Sequence, residues 1–373
     1  MSFVPPPSEI REMMAKAPAD ALNLGIGEPG FPTPPALLAY VKEHLQNWPL
    51  GYTSNAGLLE LREQIAGNSD SNLTAARVCI TNGAQEALYA ACHTLLSRGD
   101  EALVPNPGFL AYPNLVKMTG AMPVDYSMPC TPGEPFDFDA FKNKISGRIK
   151  VLFLNSPSNP TGFCFSLKEL KEITALCERC GITIISDEVY RELYFGQHQP
   201  PGILAVSDNH FQITSLSKTF SMTGWRLGWA AGPQNRMAEF TRVHQYLTTC
   251  ASALSQHAAL CLFDDALKDV VKTFRISLKQ RRDFLFNFLN EKPAWRVAKP
   301  EAGLFLFAGL PDWPEQKSSP AEHLLHQHNI ISVPGDAFGS RGKGYLRLSF
   351  AAEIDIIKDA CHRLTDFQPT VLF

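Results

Sequence analysis

Between residues 81 and about 273 the chain alternates short apolar runs rich in Val and Ile with longer amphipathic stretches, the pattern of parallel β-α units. The runs at 101–104, 151–154, 182–186 and 212–216 predict strands. The stretches at 85–96 and 167–180 predict helices, and the second places Leu167, Leu170, Ile173, Thr174 and Cys177 on one face. Strands this uniformly apolar need cover on both sides, so the expectation is an α/β fold with a sheet between helices.

The pattern changes at both ends. Eight of the first 35 residues are proline (Pro5, Pro6, Pro7, Pro18, Pro29, Pro32, Pro34 and Pro35), which predicts an extended arm without long regular elements. A long helical region at 254–289 is followed by predicted strands at 303–307 and 345–350 and a last helix at 354–364, the elements of a smaller α+β unit. The expected organisation is an arm, 1–35, packed on the small unit, a large domain, 36–275, and a small C-terminal domain, 276–373.

Composition narrows the partners. With 373 residues, 45% apolar and 19% charged, the chain can bury a sizeable core. A net charge of −3 leaves no cationic excess for a nucleic-acid backbone or an anionic membrane, so a small-molecule partner is expected. Nine dilute cysteines do not resemble a disulfide framework. No run approaches the length of a membrane span and the N-terminus lacks a signal-peptide pattern, so a cytoplasmic location is expected.

Candidate chemistry clusters where predicted strands end, the usual place for ligands in such folds. Lys218 follows a strand directly in Ser215-Leu216-Ser217-Lys218-Thr219-Phe220, where desolvation and nearby cations lower an amine's pKa, as an imine-forming lysine requires. Asp187 closes the run 182–186, a position from which an acid can hold a heterocyclic nitrogen protonated, and Tyr190 follows it. Asn159 lies in Asn155-Ser156-Pro157-Ser158-Asn159-Pro160-Thr161-Gly162, two turns at one strand end. Gly83, Ala84 and Gln85 open a helix whose free amides form an anion cradle, to which Ser215 and Arg226 can add donors. Arg347, on the opposite face of its strand from Leu346, Leu348 and Phe350, offers a fork for a carboxylate.

The order and spacing of these pieces, from Leu24-Gly25-Ile26-Gly27-Glu28-Pro29 to the Arg347 strand, resemble the class I/II aminotransferases, which use pyridoxal 5′-phosphate (PLP). The resemblance implies PLP fold type I: a large domain with a mostly parallel seven-stranded sheet sandwiched by helices, plus a smaller α+β domain. It implies that Lys218 holds the cofactor as an imine and later carries the proton between substrate Cα and cofactor. It implies that Asp187 pairs with the pyridine nitrogen, Asn159 and Tyr190 bond its phenolic oxygen, and Phe109 stacks on the ring. The phosphate falls to Gly83, Ala84, Gln85, Ser215, Ser217 and Arg226. Tyr52 matches the tyrosine that reaches the phosphate of a neighbouring subunit, which implies a homodimer. Arg347, with Asn159 and the backbone at Gly27, falls to the substrate α-carboxylate. The expected reaction moves an amino group between an L-amino acid and a 2-oxo acid by ping-pong chemistry.

Two positions depart from the family pattern. Gly30 stands where an aspartate usually follows Glu-Pro, and Ala84 where some aspartate-specific members carry a lysine. The missing cation, together with Phe31 in the arm, predicts a pocket for apolar or aromatic side chains. A carbon–sulfur β-lyase uses the same cofactor set and is the alternative activity. A non-enzymatic PLP-binding regulator is disfavoured, because such proteins carry an N-terminal helix-turn-helix whereas Gly25 already begins the catalytic segment. Cys177 and Cys180 lack a second ligand pair, so Cys177 is expected in the core, and His323, His326 and His328 read as part of a solvated helix.

Overall fold

Seven strands form the central sheet: β1 (Val78–Thr81), β2 (Glu101–Asn106), β3 (Met122–Ser127), β4 (Ile149–Asn155), β5 (Thr183–Asp187), β6 (Phe211–Ser215) and β7 (Gly228–Ala231). Their spatial order is β1-β7-β6-β5-β4-β2-β3. The pairs from β6 through β3 are parallel, and β7 alone runs against its neighbours β6 and β1. These positions come from a computed structural model that describes residues 3–365, apart from 70, 312 and 315–318, together with Phe367.

The four predicted strands are β2, β4, β5 and β6; in β4 every residue except Lys150 is buried because both faces are covered, whereas β6 alternates, with Gln212 and Thr214 half-buried. Three strands were not predicted. β3 is an edge strand with Pro123 in it and mostly exposed or half-buried side chains. β1 is only four residues long. β7 is built from Gly228, Trp229, Ala230 and Ala231, and a Cβ on Gly228 would lie 2.6 Å from the Thr214 carbonyl oxygen and 3.0 Å from the Ala84 nitrogen. Close approach, not propensity, sets that sequence.

The antiparallel β7 matters for position. Gly228 pairs with both Ser215 and Thr81, so the start of β7 lies at the same sheet edge as the ends of β6 and β1. Arg226 therefore joins residues that follow parallel strands.

The predicted helices are Ala84–Leu95 and Leu167–Arg179. In the second, Ser166 and Glu169 form a reciprocal cap, with Glu169 N donating to Ser166 Oγ (3.2 Å) and Ser166 N to Glu169 Oε2 (2.7 Å). Leu170, Ile173, Thr174 and Cys177 are buried as expected, whereas Leu167, in the first turn, stays exposed. The region 254–289 is not one helix: Ala253–Ala259 and Asp265–Asn290 are separated by a 3-10 turn, Leu260–Phe263. The longer helix has 26 residues, about 39 Å of rise, and joins two apolar cores through Leu267 at one end and Leu278, Leu285 and Leu289 at the other. The second core surrounds a four-stranded sheet in which Phe305–Gly309 pairs antiparallel with Tyr345–Ser349, Phe307 opposite Arg347.

The arm differs from its expectation. Ser8 follows the three prolines, and Glu9–Lys16 forms a helix with Met13 buried, because prolines ahead of a helix do not interrupt it. Leu22–Asn23 then pairs in parallel with Ile330–Ile331, and Gly30 N donates to the Ala351 carbonyl (3.0 Å). The histidines of Pro320–His328 also differ. His323 packs on Trp313 (ring centroids 5.1 Å apart), and His328 Nδ1 bonds the Arg363 carbonyl (2.9 Å); of the three, only His326 is exposed. Among the described residues no helix is long and apolar enough to cross a membrane.

Ser166→Ala removes one half of the reciprocal cap while leaving the buried face of its helix intact. It should cost about 1 kcal/mol in urea unfolding, and an unchanged midpoint would contradict the cap's contribution.

Candidate active site

The carboxyl ends of β4, β5 and β6 deliver Asn155, Asp187 and Ser215 to the floor of a cavity of about 590 Å³. The short helix Leu216–Thr219 continues from β6 and brings Lys218 to the same floor. Its Nζ donates to the Gly27 carbonyl (2.6 Å), joining the arm to the sheet. Burial pulls Lys218 down from 10.5 to about 8; the Glu28 carboxylate opposes that, and Arg347 and Arg226 add to it.

Asp187 is fully buried and held from two sides, Oδ2 accepting from Tyr112 Oη (2.8 Å) and Oδ1 from Val189 N (3.3 Å). Burial outweighs these bonds and pushes its pKa from 3.8 up to about 6. Tyr112 was not anticipated. It stacks on Phe153 and stands three residues after Phe109, which meets it edge-on at the cavity wall. That spacing, at the entry to helix Ala111–Met118, was the available signal.

Arg347 is enclosed between the rings of Phe305 and Phe338, with its guanidinium carbon 4.0 and 4.9 Å from their centroids. Its Nη1 donates to Asn159 Oδ1 (3.0 Å) and its Nη2 to the Gly25 carbonyl (2.7 Å), while Nε is buried without a partner. Burial lowers Arg347 from 12.5 to about 10. The Asn159 Oδ1 bond leaves that residue's amide NH2 as its donor, and Asn155 Oδ1 fixes its backbone N (2.7 Å). Tyr190 is buried beside Phe305, its hydroxyl pushed well above its ordinary pKa by burial.

At the end of β1, Gly83 takes φ +84° ahead of helix Ala84–Leu95, whose first amides have no partner within the helix. A Cβ on Gly83 would lie 2.7 Å from Arg226 Nη2, so only glycine lets that guanidinium close on the turn. Arg226 itself is left-handed, at φ +53°, an uncommon state for a side-chain-bearing residue. Ser215 Oγ lies 2.9 Å from Ser217 Oγ. Two hydroxyls, a guanidinium and a helix N-terminus with no side chain in the way fit a phosphate.

The cavity thus collects Gly27, Ala84, Gln85, Phe109, Asn159, Asp187, Tyr190, Ser215, Ser217, Lys218, Arg226 and Arg347, with Gly83 against Arg226. Tyr52 is not among them: it is 89% exposed on the surface of the chain. Sequence reasoning missed Tyr112, Asn155, Glu28 and Phe305. It also missed Ile10, Arg11 and Met14, which reach the cavity because the arm is helical there.

A fold of this kind, with a half-buried lysine, a buried acid and an open helix N-terminus at one sheet edge, matches PLP enzymes of fold type I. The family model for aminotransferases of class I and II matches residues 19–364. The chain is 34% identical over 370 residues to a probable aspartate aminotransferase of Methanocaldococcus jannaschii, covering 95% of each. It is 32% identical to aromatic-amino-acid aminotransferase 2 of Thermococcus litoralis, covering 96% of this chain and 95% of that one. The crystal structure of an aromatic aminotransferase from Pyrococcus horikoshii superposes with a TM-score of 0.87 at 30% identity, covering 95% of this chain and 97% of that one. The chain belongs to the class I and II aminotransferases, and it is a PLP-dependent aminotransferase.

Asp187 yields a pH prediction for the protein freed of cofactor. The folded chain binds its proton more tightly than the unfolded chain does, about 6 against 3.8. The stability that Asp187 contributes is therefore fully present below about pH 4 and is lost, to the extent of about 3 kcal/mol, as pH rises through about 6. In urea unfolding the difference in stability between the wild type and Asp187→Asn should therefore change by about that amount between about pH 4 and 6, to the wild type's disadvantage as pH rises; parallel pH curves for the two proteins would contradict it.

Proposed function

We propose that this aminotransferase works through Lys218 as the mobile base and Arg347 as the substrate anchor, on an L-amino acid with an apolar or aromatic side chain. The observation that carries the reading is that the half-buried Lys218 and the buried Asp187 and Arg347, three ionisable groups from separate parts of the chain, face one cavity. Bound here, PLP supplies an aldehyde that condenses with amines and a ring that accepts electron density from the substrate Cα. Asp187 holds its carboxylate toward the ring nitrogen's place, kept in orientation by Tyr112 and Val189. The Asn159 amide NH2 and the Tyr190 hydroxyl are the donors for the phenolic oxygen, and Phe109 is the ring's stacking partner. Gly83, Ala84, Gln85, Ser215, Ser217 and Arg226 hold the phosphate.

Lys218, near 8, is neutral in a useful fraction close to neutral pH, so its Nζ can take and return the proton at the substrate Cα. Arg347 offers its fork to the α-carboxylate, with Asn159 and the Gly27 backbone beside it. Ile10, Met14, Ile26 and Phe305 line the same cavity and support an apolar side-chain pocket. Arg11 lines it too. The proposed division of labour gives 1–35 the arm that covers substrate, 36–275 the cofactor groups, and 276–373 the Arg347 strand.

A homodimer and a cytoplasmic setting belong to the same proposal. Tyr52 stands exposed with Tyr246, Leu247 and Leu254, and their segments are tied by Asn55 Nδ2 to the Thr249 carbonyl (2.8 Å) and Gln256 Nε2 to Thr53 Oγ1 (3.1 Å). Leu254 lines a surface groove with Arg226, and these exposed aromatic and aliphatic side chains suit a second copy of the chain, whose phosphate site Tyr52 would complete. Nine unpaired thiols suit a reducing compartment.

Lys218→Ala should lose the visible absorbance of lysine-bound cofactor and roughly 10³-fold of transamination. In the wild type, phenylalanine should convert the cofactor to its amine form faster than aspartate does. A strong preference for aspartate would overturn the apolar pocket alone, and release of pyruvate and thiol from cystathionine would indicate the lyase. Sedimentation should show a dimer in which Tyr52→Ala loosens cofactor binding; a monomer would overturn the assembly.

A further inference from the structure

Glu86 is a carboxylate placed beside the turn assigned to the phosphate, where a second negative charge works against an anion. It nevertheless stays ionised: burial pushes its pKa up, but bonds from His244 and Asn82 hold it below its ordinary value. Its oxygens are fully engaged. Oε2 accepts from Asn82 N (2.7 Å) and Asn82 Nδ2 (3.0 Å), and Oε1 accepts from His244 Nδ1 and Thr248 Oγ1 (3.3 Å). The next link is the Asn82 carbonyl, which accepts from Arg226 Nη2 (3.2 Å), while Arg226 Nη1 holds the Thr223 carbonyl (3.0 Å). Thr81 Oγ1 donates to the Gly83 carbonyl (3.1 Å) on the other side of the same turn.

Asn82 is therefore fixed at both its N–H and its C=O. That sets the direction in which the chain leaves β1, enters Gly83 at φ +84° and presents the Ala84 and Gln85 amides. His244 is completely buried on helix Gln234–Thr248, and its Nε2 has no partner, a cost that packing alone would avoid with an apolar residue. Among the described residues its one polar contact is Glu86.

We infer that Glu86 and His244 are positioning residues for the phosphate site, acting through Asn82 on the Gly83 turn and on Arg226. This rests on the proposed phosphate role of that turn. The pair touches neither phosphate nor reacting atoms; it fixes the donors that do, so the free energy lost without it is specific to the phosphate end of the cofactor.

The test titrates the full-length chain, freed of cofactor, with PLP and separately with pyridoxal, which lacks the phosphate. Glu86→Ala and His244→Leu should each raise Kd for PLP about tenfold or more and leave Kd for pyridoxal within about threefold. Glu86→Gln, whose carbonyl oxygen still accepts from Asn82, should recover most of the PLP affinity. Arg236→Ala, exposed on the same helix as His244, should change neither ligand. Should the Ala and Leu variants fail to fold, Thr248→Val removes one bond to Glu86, and a changed phosphorus resonance of bound PLP reads the same effect. Equal weakening of both ligands, or an unchanged PLP affinity and phosphorus resonance, would overturn the positioning role. If the wild type binds PLP no better than pyridoxal, the phosphate site itself is misassigned.

Discussion

Asp187 and Arg347 are buried and Lys218 half-buried around one cavity, and desolvation is the largest influence on all three. Its sign differs by group: the acid is made weaker, and the amine and guanidinium become easier to deprotonate. An isolated buried charge is not tolerated, so each must be surrounded by polar partners at fixed distances. Tyr112 and Val189 serve Asp187, the Gly27 carbonyl serves Lys218, and Asn159 with the Gly25 carbonyl serves Arg347. Much of the architecture is what those partners require.

The sheet meets that requirement with direction. Parallel strands β4, β5 and β6 release their polar ends at one edge, and the single antiparallel strand β7 turns the segment before it, with Arg226, back to that edge. The arm closes the other side because Gly30 is bonded to Ala351 and Phe31 stacks on Phe274 with ring centroids 4.1 Å apart. The residues that line the cavity therefore come from three stretches of chain that meet only when both cores are packed.

Backbone geometry carries as much as side-chain chemistry. Gly83, Gly27 and Gly228 each stand where a Cβ would strike a neighbour, respectively Arg226, the Phe305 ring and the Thr214 carbonyl. Arg226 accepts a left-handed backbone to place its fork. These are positions where local preference yields to the needs of the site.

Residues that announce themselves through neighbours in sequence were legible in the sequence. Lys218, Asp187 and Asn159 each follow an apolar run, Gly83 opens an amphipathic helix, and Arg347 is a cation on the non-aliphatic face of an alternating strand, so position and chemistry both show in a few residues. The strands β1, β3 and β7 were hidden because shortness, an edge position and glycine erase the apolar signal. The arm helix was hidden because its prolines lie just ahead of it. Only the tertiary structure could decide that Tyr112 holds Asp187, that Ile10 and Arg11 reach the cavity, and that Glu86 is tied to His244, 158 positions away. Those pairings are contacts across long sequence separations, which no local pattern encodes and which exist only once the sheet and its covering helices have packed.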